Sequence, residues 1–225
     1  MSRCVVVTGA SRGLGLELAK QLAKRGDSVI ATARHPERAA ELKALDVRVE
    51  RLDVAEPSSL AAFADAVADQ SIDLLINNAG KGGMRAAFEE MDWADVADFF
   101  ATNSIGPMRV TQALLPSLRR GRGKTIASIT SRMGSIDDNT SGGAYGYRAS
   151  KAALNMLNRS LSIDLARDGF TCVVLHPGWV RTDMGGAGAP LLPPQSVEGM
   201  LSVIDGLKPS DTGKFLDYEG KPIAW

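Results

Sequence analysis

The sequence predicts an α/β chain built as a doubly wound, mainly parallel sheet flanked by helices on both faces. Three observations carry that prediction. Short β-branched runs alternate with longer helical patterns from the first residues onward, the mark of successive βαβ units. Most of these runs are apolar at every position, as strands covered by helices on both sides must be. A glycine-rich turn, Thr8-Gly9-Ala10-Ser11-Arg12-Gly13-Leu14-Gly15, joins the first run to the first helical pattern.

The strand runs fall at residues 4–8, 28–33, 47–52, 72–77, 125–129 and 171–175, with a weaker seventh at 214–218. Between them, residues 14–25 place Leu14, Leu18, Leu22 and Ala23 on one helical face and stop at Gly26. Pro57 opens a helix that runs to about Asp69, because a proline in the first turn lacks only an N–H that had no partner there. A long pattern over 93–120 contains Gly106-Pro107, where a kink or break is expected. A second long helix is predicted over 147–167, stopped by Gly169. Residues 185–194, with three glycines and three prolines, read as a loop after a strand end and, extended to about 183–200, as a substrate lid.

Composition narrows the function. The chain has 225 residues, enough for one large domain over 1–225, and its 44% hydrophobic content can fill a core, which excludes a disordered chain. Lys plus Arg and Asp plus Glu both number 26, so net charge draws it to neither nucleic acid nor an anionic membrane. No apolar run approaches the roughly 20 residues of a membrane span. The opening Met-Ser-Arg-Cys-Val-Val-Val enters a strand pattern without the features of a signal peptide, so a cytoplasmic protein is expected. Cys4 and Cys172 sit in apolar strands as reduced thiols, and two histidines, His35 and His176, give no metal-site pattern.

The glycine turn points to a phosphate ligand. Its glycines allow a tight bend and close backbone approach, and the helix that follows offers unpaired N–H groups with partial positive charge. Pyrophosphate of a dinucleotide suits that setting. The turn resembles the Thr-Gly-x-x-x-Gly-x-Gly of the short-chain dehydrogenase/reductase family. Asn77-Asn78-Ala79-Gly80 is similar to that family's Asn-Asn-Ala-Gly segment, and Tyr147-Arg148-Ala149-Ser150-Lys151 to its Tyr-x-x-x-Lys signature. The motifs occur in the family's order from residue 8 to residue 182, and the branch they most resemble is that of small carbonyl reductases and C-factor-like proteins.

The resemblance implies a Rossmann-like fold and a nicotinamide dinucleotide. Gly9, Ser11, Arg12, Gly13, Leu14 and Gly15 would hold its phosphates, Asp53 and Val54 its adenine, and Asn78, Ala79 and Gly80 its channel. Pro177, Gly178, Val180 and Thr182, in the family's Pro-Gly segment, would reach the nicotinamide end. NADP(H) is favoured over NAD(H): where NAD-preferring members carry Asp at the end of the second strand, Ala33 is neutral and Arg34 follows. Arg12 and Arg34 together offer a guanidinium clamp for the 2′-phosphate. Asp53 also reads as a helix cap or a loop charge, and the two arginines as plain surface charges.

Tyr147 and Lys151 are four apart and share one helical face. A phenol with a reference pKa near 10 needs about 4 kcal/mol of differential stabilisation to exchange protons at neutral pH, and a neighbouring ammonium has the right sign. The family assigns Tyr147 as acid and base, and Lys151 as its partner that also binds the nicotinamide ribose. Ser131 would hold the substrate oxygen and Asn103 a relay water. Residues 137–143 read as a local insertion between Ser131 and Tyr147, leaving Ser135 as a competitor, and Asn103 also reads as a buried asparagine at the helix break. A small carbonyl or alcohol is the expected partner, turned over by an NADP(H)-dependent oxidoreductase, and the two long helices suit a homodimer or homotetramer. A dinucleotide-binding signalling protein with incidental turnover is the alternative. His176 reads as structural.

Overall fold

The computed structural model describes residues 2–83 and 88–225. Seven strands, β1 (Cys4–Val7), β2 (Ser28–Ala33), β3 (Arg48–Arg51), β4 (Leu74–Asn77), β5 (Thr125–Ile129), β6 (Thr171–His176) and β7 (Phe215–Asp217), form one sheet in the order β3-β2-β1-β4-β5-β6-β7. Every pairing is parallel, so the sheet is more uniform than the mainly parallel one expected. The order in which successive strands are laid down reverses between β1 and β4. Beyond the carboxyl ends of those strands the crossovers part to opposite faces and leave a crevice.

Alternation along the strands explains the two apolar faces. Val5 and Val7 of β1 belong to one core with Leu18 and Leu22 of α1 (Gly13–Lys24), whereas Val6 belongs to the other with Leu114 and Leu118. The same division separates Leu74 and Ile76 from Leu75 in β4. A short α2 (Ala40–Lys43) covers the first face through Leu42, and α3 (Pro57–Ala66) covers the second through Leu60 and Phe63.

The long pattern over 93–120 does not break at Gly106-Pro107. It comprises α4 (Trp93–Phe100), a π-helical turn (Ala101–Ile105) and α5 (Gly106–Arg120). Pro107 has no N–H to return to the Asn103 carbonyl, and the helix widens into a π turn instead of kinking. The next helix, α6 (Tyr145–Asp164), starts two residues before the predicted point and ends in a short 3₁₀ turn, Ala166–Asp168. Gly169 stops it with a φ of +81°.

The proposed lid over 183–200 is cut short by α7 (Pro193–Gly206), which the sequence reading missed. Pro193 and Pro194 counted there as loop residues, yet they occupy the first helical turn, where prolines cost nothing. Val197, Met200, Leu201 and Ile204 then pack into the core beside α1. The loop proper lies between β6 and α7, pinned by a parallel bridge between Val180 and Leu191. No helix among the described residues is long and apolar enough to cross a membrane.

Candidate active site

The glycine turn meets the crevice between β1 and β4, and its glycines answer two different needs. Gly9 has a φ of +67°, a left-handed conformation that L side chains rarely adopt. A side chain at Gly15 would place its Cβ 2.2 Å from the Gly9 carbonyl oxygen and 2.5 Å from Asn78 Nδ2. The α1 N-terminus that follows carries no side-chain cap and no acidic residue in its first turn, so its N–H groups and positive end stay available to an anion. Side chains outside the turn brace it: Gly9 N–H donates to Thr32 Oγ1, and Asn78 Nδ2 donates to the carbonyls of Thr8 and Gly9. Thr8 Oγ1 accepts from both Asn78 N–H and Ala79 N–H.

A groove of about 320 Å³ runs from this turn along the ends of the strands. Sixteen of the residues named from sequence line it: Gly9 with Ser11, Arg12, Gly13, Leu14 and Gly15, then Arg34, Asp53 and Val54, and Asn78, Ala79 and Gly80. Tyr147, Lys151, Pro177 and Thr182 close its far end. Gly178 and Val180 lie outside it, on an adjoining cavity of about 860 Å³. Asp53 Oδ1 accepts from Ala55 N–H within its own turn, and the α3 cap position belongs to Glu56, so the helix-cap alternative for Asp53 does not hold.

Arg34 is exposed at the groove's edge just past β2, while Arg12 pairs with Asp183 at 2.8 Å across it. Both partners of that pair are about three-quarters exposed, at 74% and 78%. The sequence reading gave Arg12 to a phosphate and overlooked Asp183, whose carboxylate competes for it. Lys81 and Thr130, also overlooked, line groove and cavity alike, as does Met184.

Tyr147 sits where the groove and the cavity meet, with its ring edge-on to Phe99 at 6.3 Å. Ser131, at the carboxyl end of β5, approaches its phenol and pulls the pKa down, but burial is the larger effect and raises it above the ordinary value. With protein groups alone, the tyrosine is therefore a weaker acid than free phenol, contrary to the lowering expected from Lys151. Lys151 is buried, its Nζ donating 2.9 Å to the Ile129 carbonyl and standing 6.0 Å from the Tyr147 ring centre. Desolvation pushes the ammonium down to about 8. Ser135 is occupied elsewhere: its hydroxyl accepts from Asp138 N–H, and it lines neither groove nor cavity.

Asn103 is fully buried on the π turn, behind the groove. Its Oδ1 accepts from Lys81 N–H at 2.8 Å, and its Nδ2 donates to the Lys81 carbonyl and to Ser150 Oγ. Ser150 in turn donates to the Tyr147 carbonyl. The amide thus ties the segment following Asn78–Gly80 to the helix that carries Tyr147, and it has little capacity left for a water. The stretch over 137–143 closes with Gly142 and Gly143, left-handed like Ala144 after them, and the chain there turns into α6.

Comparison with known proteins agrees with this geometry. The family described as short chain dehydrogenase matches residues 3–189. The C-signal of Myxococcus xanthus is 55% identical over 166 residues, covering 74% of this chain and all of that protein. A 1-hydroxy-2-glutathionyl-2-methyl-3-butene dehydrogenase from a Rhodococcus species is 34% identical over 228 residues, nearly the full length of both. Among solved structures, the NADPH-bound carbonyl reductase from chicken fatty liver superposes with a TM-score of 0.93 at 37% identity, over 100% of this chain and 99% of that one. The carbonyl reductase Sniffer of D. melanogaster gives 0.92 at 34% identity, with complete coverage of both chains.

Proposed function

The chain belongs to the short-chain dehydrogenase family, and from that premise we propose that it is an NADP(H)-dependent oxidoreductase interconverting a carbonyl and an alcohol. The position of Tyr147 at the junction of groove and cavity, beside Ser131, carries the reading. The groove's shape suits the dinucleotide: a backbone cradle that a Cβ at Gly15 would fill, an uncapped helix end for the pyrophosphate, and Arg34 for the 2′-phosphate. The NADP(H) bound by several structural neighbours supports the same choice.

When bound, the cofactor supplies or accepts hydride at the substrate carbon. Ser131 holds the substrate oxygen by hydrogen bonding, and Tyr147 Oη gives it a proton in reduction or removes one in oxidation. Lys151 sits near enough to favour the phenolate as it forms, and with its pKa pushed down to about 8 it can itself pass a proton at neutral pH. Asn103 acts as a positioning residue through Lys81 and Ser150; any relay water falls to its backbone carbonyl, which Pro107 cannot pair.

The identity to C-signal favours a second reading, a dinucleotide-binding signalling protein with incidental turnover. Following NADPH absorbance over a panel of aldehydes, ketones and quinones separates the two. Tyr147→Phe is expected to lower kcat/KM by about 10²- to 10⁴-fold while NADPH binding holds. Equal rates in both proteins would remove Tyr147 from the chemistry, and no turnover in either would favour signalling.

A further inference from the structure

The cavity is lined by two unlike sets of side chains. Met133, Trp179 and Met184 are apolar. Arg132 and His176 are polar, and the acid–base chemistry uses neither. His176 ends β6, and Thr130 N–H donates to the Leu175 carbonyl, so the parallel register sets the imidazole on the strand beside Thr130 and Ser131. Adjacent strands are about 4.8 Å apart, so His176 stands on the strand next to the one that leads into Ser131, and His176, Ser131 and Tyr147 line the same cavity.

His176 Nδ1 is shut away from solvent and has no hydrogen-bond partner, while the residue as a whole is partly open and lines the cavity. Nε2 is the nitrogen left accessible. A buried N–H without a partner is rarer and costlier than a buried lone pair, so the neutral ring carries its proton on Nε2 and presents a donor to the cavity. Burial is the main cause that keeps the ring neutral, pushing its pKa down to about 4. Arg132 adds to the lowering, and Asp217 and Asp138 oppose it. Arg132 is 54% exposed, and its Nε stands 3.8 Å from Asp138 Oδ2, an ion pair without a hydrogen bond, so its donors are free to turn inward.

We propose that His176, assisted by Arg132, hydrogen-bonds a second oxygen acceptor on the substrate, close to the reacting carbonyl, and that this chain prefers α-dicarbonyl or α-oxo-acid compounds to simple ketones. The proposal rests on the oxidoreductase reading and names the substrate class of the same site. An apolar tail beyond the two oxygens would lie against Met133, Trp179 and Met184.

The test uses methyl butyl ketone, the α-diketone of the same six-carbon skeleton, and α-oxohexanoate, with NADPH. His176→Leu should lower kcat/KM for the diketone about tenfold, the worth of one hydrogen bond, and leave the simple ketone within about twofold. His176→Gln, whose amide nitrogen reaches where Nε2 stood, should recover most of the loss. A further loss for α-oxohexanoate alone in Arg132→Gln would make a carboxylate the second acceptor; equal behaviour of the two compounds would make it a neutral oxygen. The same losses for ketone and diketone, or no recovery with Gln, would overturn the proposal. Dissociation constants of the three compounds for the NADPH complex are measured in parallel, so the preference is read even without turnover; equal constants would also overturn it. Failure of the underlying reading shows separately, as Tyr147→Phe turning over as fast as the unaltered protein.

Discussion

The cofactor groove and the substrate cavity adjoin one another, yet they are built by different means. The groove is made of backbone: glycines where a Cβ cannot go, N–H groups at an uncapped helix end, and short braces from Thr8, Thr32 and Asn78. The cavity is made largely of side chains: Ser131, Arg132 and Met133 after β5, Tyr147 on α6, and His176, Trp179 and Met184 at and after the end of β6. A backbone cradle tolerates almost no substitution and admits one kind of ligand. A wall of side chains can be changed residue by residue, which is how one fold serves many substrates.

The difference can be broken most severely in the cradle. Gly15→Val would drive a branched side chain against the Gly9 carbonyl and the Asn78 amide, and we expect it to abolish NADPH binding measured by fluorescence, with a lowered Tm. Normal binding in that variant would show that the turn can open. The next effect is smaller and selective. Arg34→Asp replaces an attraction for the 2′-phosphate with a repulsion, and should weaken NADPH by about 10- to 100-fold, at roughly 1.4 kcal/mol per tenfold step, while leaving NADH nearly unchanged. An unaltered ratio of the two affinities would remove Arg34 from the clamp. Asp183→Asn gives the smallest change. It frees Arg12 from an exposed pair worth about 1 kcal/mol at most, so NADPH should bind a few times more tightly at low salt, and the gain should vanish at high salt. A gain that persisted in high salt would mean that Asp183 acts through loop structure.

The same division governs what could be read from the residues. The cradle's requirements are local, so the order strand, glycine turn, helix was legible, and so were Arg34 just after β2 and the Tyr147/Lys151 pair on one helical face. Asp183 was not, because its partner Arg12 lies 171 positions away and only the fold brings them together. His176 was read as structural for a similar reason: nothing in the sequence shows that one ring nitrogen is buried and the other is open. The helix α7 was hidden by its own prolines, which mark a loop or a first turn equally well. The π turn was legible as a disturbance at Gly106-Pro107 but not as a widening, since the choice between kink and π turn depends on what α4 and α5 pack against. The pKa of Tyr147 was misjudged because proximity to an ammonium is visible in a spacing of four, whereas burial is not.

The three hydrogen bonds of Asn103 join residues 81, 103 and 150, which lie far apart along the chain. As the protein is synthesised, β1, the glycine turn and α1 are complete within the first few dozen residues, long before Tyr147 leaves the ribosome. A nascent chain therefore carries the makings of a phosphate cradle well ahead of any proton donor. The capacity to hold a dinucleotide and the capacity to use it are acquired at different moments, and the Asn103 amide is one of the bonds that joins them once the last strands are in place.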